Sequence, residues 1–129
     1  MNNVILSGRL TRDPELAFTR QNTRQNVRFT LAVDKNLTSE KKSQFEQEGK
    51  PTADFISVVV WGRLAESVAR YTGKGSRVIV FGRVQTGSYK NKNGDLIYTT
   101  DIVASNIEFI DWKEPDDVFQ PFPDYEPQY

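Results

Sequence analysis

The stretch DFISVVVWG, Asp54 to Gly62, constrains the chain more than any other segment. In a strand successive side chains alternate between faces, so Ile56, Val58 and Val60 share one side while Phe55, Ser57, Val59 and Trp61 share the other. The first face is purely β-branched and can supply core packing alone. The second then carries two large aromatics six residues apart, roughly 20 Å along the strand. That face has two readings. If it is covered, both aromatics are core. If it is open, they are flat platforms of the kind unpaired nucleobases stack on, at roughly 1–3 kcal/mol per base.

Composition narrows the chemistry. The chain has 129 residues, one domain's worth, with neither Cys nor His. Disulfides, thiolate metal sites, most zinc sites and most nucleophile–base pairs are thereby removed. An enzyme would rest on carboxylates, and Asp34, Asp54 and Asp101 are scattered strand-end acids with no partner of suitable type. Neither catalysis nor a cofactor nor a metal is expected. MNNVILSGRL does not read as a signal peptide, and no segment approaches the roughly 20 apolar residues of a membrane span, so a soluble cytoplasmic protein is expected.

The formal net charge is zero, but it is unevenly distributed. All seventeen Lys and Arg fall within residues 1–113 against twelve acids, leaving +5, while five acids follow and leave −5. A basic body with an acidic tail suits a polyanionic partner better than the total suggests.

Taken in order, Val4 to Leu10 reads as a first strand, closed by a turn at Asp13-Pro14. LAFTRQNTRQN follows as a basic loop with Arg20 and Arg24. Val27 to Asp34 alternates cleanly, with Val27, Phe29, Leu31 and Val33 inward. Lys35 to Ala53 reads as a long polar loop whose only aromatic is Phe45, either an anchor to the body or another stacking surface. After the central strand, Leu64, Val68 and Tyr71 recur at helical spacing, ended by Gly73 and Gly75, as expected of a plug over a barrel end. Arg77 to Tyr89 is a long strand, apolar on both faces over Val78–Phe81 and amphipathic beyond Gly82, where Arg83, Gln85, Gly87 and Tyr89 share a face. Asn93-Gly94 marks a hairpin tip, and Ile97 to Ile110 returns as the last strand, with Tyr98 near its start.

Five strands with one short helix between the third and fourth is the arrangement of the OB-fold, an all-β, five-stranded Greek-key barrel; an all-β sandwich is the structural alternative. Residues 1–111 form the expected domain. Residues 112–129 hold four of the six prolines, five acids and one base, and are expected to be a disordered tail. Val118, Phe119, Phe122, Tyr125 and Tyr129 suit docking into a basic, apolar pocket on another protein, or folding back onto the body's own basic face, rather than solvation alone.

MNNVILSGRLTRDPEL, ADFISVVVWGRLAESVARYTGKGSRV, FGRVQTGSY and NGDLIYTTDIVA, in this order across residues 1–111, resemble the bacterial and phage single-stranded-DNA-binding (SSB) proteins. The resemblance implies a homotetrameric OB-fold that coats single-stranded DNA without sequence preference in replication, recombination and repair, and that recruits partner proteins through an acidic tip. It places stacking aromatics at Phe55, Trp61 and Tyr89, with Phe45 as the loop aromatic, and basic positions at Arg63 and Lys74. Gln85 and Gly87 stand where relatives often carry Arg. Arg83, Lys90 and Lys92 compensate in this reading, with Arg9, Arg28 and Arg77 as further phosphate contacts. In the tail, Asp116, Asp117, Phe119, Pro121 and Phe122 echo the composition of the family tip, although seven residues follow. A primosome-type protein-interaction module is the functional alternative.

Overall fold

The strands form where apolar residues alternate and the helices where that alternation breaks. In chain order the elements are β1 (Val4–Leu10), β2 (Glu15–Phe18), β3 (Gln25–Asp34), α1 (Ser39–Gln47), β4 (Ala53–Trp61), α2 (Arg63–Tyr71), β5 (Arg77–Lys90) and β6 (Leu96–Phe109). This is a computed structural model, which describes residues 1–19 and 24–111.

Five strands close a ring. β1 pairs with β5, β5 with β6, β6 with β4 and β4 with β3, and β3 returns to β1. Every pairing is antiparallel except β4 with β6, which is parallel. This is the Greek-key order of an OB-fold barrel, with α2 between the third and fourth ring strands as the sequence predicts. The seam is short: β1 meets β3 only at Arg9↔Ala32 and Leu10↔Leu31.

Inside the ring lie the residues the alternation points inward. Val27, Phe29 and Leu31 of β3, Val58 and Val60 of β4, Val78 and Val80 of β5, and Ile102 and Ile107 of β6 are buried in one cluster. Ala65 and Val68 of α2 join it and seal one end of the barrel. The helix terminates at Thr72, a buried residue whose hydroxyl donates to the Val68 carbonyl at 2.7 Å. Two glycines sit where the sheet coils most tightly. A Cβ at Gly8 would overlap the Ala32 carbonyl oxygen beside the seam, and one at Gly82 would overlap the Val103 carbonyl oxygen at a bulge between β5 and β6.

Two segments differ from the sequence expectation. LAFTRQNTRQN is not simply a loop: Glu15–Phe18 pairs with Gln25–Arg28, so β2 is a short hairpin strand on the flank of β3, outside the ring. Nor is Lys35 to Ala53 a loop throughout. Thr38 accepts the Lys41 amide on its side chain and starts α1. Gly49, at φ 74°, ends it with the Gly49 amide on the Glu46 carbonyl and the Lys50 amide on that of Phe45, a Schellman closure. Residues 112–129, with Asp116, Asp117, Phe119, Pro121 and Phe122, lie outside the described residues.

Candidate nucleic-acid interface

The outer face of β4 is open at both ends. Phe55 is 59% exposed and stands opposite Ala32 of β3, while Trp61, opposite Asn26, is half-buried. Of the residues between them on this face, Ser57 is half-buried and Val59 is buried. Neither aromatic enters the core cluster. Trp61 is not bare, however. The Arg24 guanidinium carbon lies 4.7 Å from its ring centroid, so one face of the indole is already stacked on a cation.

The face continues onto the β5–β6 hairpin. Val103 is the parallel partner of Val59 and the antiparallel partner of Arg83, and from there Gln85↔Asp101, Gly87↔Thr99 and Tyr89↔Ile97 follow outward. With a period of two, Arg83, Gln85 and Tyr89 stand on the same side of the sheet as Phe55 and Trp61. Tyr89 is 56% exposed near the hairpin tip, flanked by Lys90 and Lys92. Phe45 is separate: it is half-buried on α1, with the Lys50 ammonium 5.5 Å from its ring centroid.

The sequence-predicted bases divide into two groups. Arg28, Arg9 and Arg77 are held by carboxylates. Arg28 Nη1 donates to Asp101 Oδ1 at 2.8 Å and to Ser57 Oγ at 3.0 Å, bridging β3 to β6 across β4. Arg77 donates from Nε and Nη2 to the two oxygens of Asp111, each at 3.2 Å. Arg9 reaches the Gly75 carbonyl at 2.9 Å and lies 3.8 Å from the same Asp111. The Arg77 hydrogen bond, helped by the charges of Arg77 and Arg9, draws the Asp111 carboxyl below its usual range, and Asp111 raises Arg77 in turn. Among the described residues no ion pair engages the second group, Arg63, Lys74, Arg83, Lys90 and Lys92. Arg83 donates to Gln85 Oε1 at 3.1 Å, and the Lys74 loop is tied down by its backbone amide on Asp13 at 2.7 Å.

Three further residues stand out in the structure. Lys42 of α1 lines a cleft of about 420 Å³ with Arg9, Arg77, Ala32 and Asp34. Phe18 and Tyr98 are exposed aromatics on the opposite side of the sheet, by the registers Phe18↔Gln25 and Ser88↔Tyr98. Only Tyr98 had a signal, its place beside a hairpin turn. No helix among the described residues is long and apolar enough to cross a membrane. The arrangement presents flat π faces and guanidinium groups along one open face, the chemistry of base stacking and anion contact.

Comparison with known proteins agrees with this geometry. The family model of the single-strand binding protein family matches residues 1–110. The chain is 48% identical over 112 residues to Single-stranded DNA-binding protein 3 of Clostridium acetobutylicum, an alignment covering 87% of this chain and 72% of that protein. It is 44% identical over 118 residues to Single-stranded DNA-binding protein 1 of Staphylococcus aureus strain MSSA476, covering 91% and 70%. Barrel order and a family match across the barrel make one conclusion: this chain belongs to the single-strand binding protein family.

Proposed function

We propose that the protein binds single-stranded DNA without sequence preference. Bases stack on Phe55, Trp61 and Tyr89, and phosphates are taken by Arg63, Lys74, Arg83, Lys90 and Lys92, with Arg9 and Arg77 after exchange of their internal partner. Arg28, pinned between Ser57 and Asp101, orders the face rather than contacting the strand. The observation that carries this reading is one continuous outer face holding Phe55, Trp61 and Tyr89, of which Phe55 and Tyr89 are more than half exposed. Large apolar rings left open along a basic surface have a use where π faces meet π faces. Phe45, out on α1, is a secondary stacking position.

In the cell this activity coats strands exposed in replication, recombination and repair in the bacterial or phage-infected cytoplasm, and the acidic tail recruits partner proteins through Asp116, Asp117, Phe119, Pro121 and Phe122. Self-association to a homotetramer is supported by β1. Its edge beyond the two seam pairs is open, and Ile5, 67% exposed, sits opposite the half-buried Phe81 on an apolar strip.

The test is a titration of intrinsic fluorescence with oligo-dT on a Trp112→Phe version of the full chain, which leaves Trp61 as the reporter. Saturable quenching is expected, lost at high salt. Trp61→Ala, followed by anisotropy of a labelled oligonucleotide, should weaken binding by roughly 1–3 kcal/mol per site with melting temperature little changed. Unquenched fluorescence at low salt, with no anisotropy change, sinks the reading in favour of a protein-binding module.

A further inference from the structure

We propose that Asp111 is an internal counter-ion standing where a backbone phosphate binds Arg9 and Arg77, and that strand binding exchanges the carboxylate for the phosphate. The inference rests on the outer face being the single-strand platform.

Register places the two arginines in line with a stacking residue. Phe55 is opposite Ala32, Ala32 is opposite Arg9, and Arg9 is opposite Arg77, so the four form one transverse row on the outer face. Adjacent strands are about 4.8 Å apart, which puts Arg9 two strand spacings, roughly 10 Å, from Phe55. A strand whose base lies on Phe55 therefore passes its backbone within reach of these long side chains. What meets them now is Asp111, held in a two-pronged Nε/Nη2 geometry that a phosphate's paired oxygens reproduce.

The pair is also open to exchange. The side chains of Arg77 and Asp111 are 51% and 39% exposed, so water and a competing anion reach both. The neighbouring Arg28–Asp101 pair differs: Asp101 is only 14% exposed, and Arg28 is fixed a second time by Ser57. Opening that pair would leave the largely covered Asp101 carboxylate without its cation, whereas Asp111 can turn into solvent. Beside Arg9 and Arg77 the cleft under Lys42 gives an arriving phosphate room and a third cation. The site is thus poised but occupied, and its arginines contribute to binding only after the internal carboxylate leaves.

The experiment follows binding of fluorescein-labelled dT oligonucleotide to the full chain by anisotropy, across a salt series. Asp111→Asn should bind roughly two- to fivefold tighter at low salt, the range of an exposed ion pair. Its log–log salt slope should steepen by up to about 0.7 for each arginine released. In an Arg77→Gln background most of the Asp111→Asn gain should vanish. Glu66→Gln on α2 carries the same change in net charge outside the row, one turn from Arg63, and should change both quantities far less than Asp111→Asn. An unchanged affinity and slope for Asp111→Asn, equal tightening by Glu66→Gln, or a gain that survives Arg77→Gln in full would each overturn the exchange. Melting curves verify that each variant is folded, and Asp111→Ser substitutes for Asp111→Asn if the latter is not. Failure of the wild-type chain to bind dT refutes the single-strand reading itself, which separates the two.

Discussion

The Arg77 guanidinium and the Asp111 carboxylate shift each other in opposite directions, and the sign has a consequence for stability. Asp111 is drawn below its usual range chiefly by the hydrogen bond from Arg77, then by the charges of Arg77 and Arg9, against some desolvation. A carboxylate depressed in the folded state stabilises above the unfolded value, about 3.9, and that contribution disappears as pH falls through the lower folded value. Asp111→Asn should therefore melt slightly below wild type from pH 7 down to about 5, with the gap closing below about pH 4. A gap that stays constant down to pH 2 would mean that the loss does not come from the ionised pair. The sequence shows one half of this device. Arg9 and Arg77 are visible as bases, but the acid that holds them comes just after β6, 34 positions after Arg77. Phe55 and Trp61 are legible for the opposite reason: an alternation only nine residues long decides which side they face.

Among the elements, legibility follows amphipathicity. β3 and α2 each bury one side against the core and leave a period in the sequence, and β4 does so except at Val59, which is buried on its outer face. α1 buries nothing, so SEKKSQFEQ carries no apolar stripe; helix-forming Glu, Lys and Gln, the Thr38 cap and the Gly49 closure are all that specify it. β2 was hidden similarly, since all four of its residues are exposed and it is a strand only because β3 offers an edge. The bulge at Gly82 is a local necessity with a directional effect. It lets the hairpin that carries Tyr89 bend away from the barrel while keeping Arg83 and Tyr89 on the outer side. Gly82→Ala should cost about 1–3 kcal/mol in urea unfolding, because the new methyl meets rigid backbone at Val103 rather than a yielding side chain. A loss under about 0.5 kcal/mol, the usual range for a surface change, would show that the ladder relaxes there.

At the scale of the whole molecule, the chain separates a basic barrel from an acidic end, and the balance of zero conceals both. Barrel order and helix position were readable because spacing between punctuating residues sets them; the seam was not, since nothing in VILSGRL names its partner. That seam orders events in time. β3 and β4 pair residues 19 to 35 positions apart, while β1 and β5 pair residues 68 to 78 apart, and only two pairs then join β1 to β3. Loop closure over the longer separation is slower, so pulsed hydrogen exchange during refolding should protect β3 and β4 amides before those of β1. Simultaneous protection would instead indicate a single concerted step. On the ribosome the asymmetry is sharper: apart from its two seam residues, the first strand made waits, apolar and without its long ladder, until Gly82 has emerged.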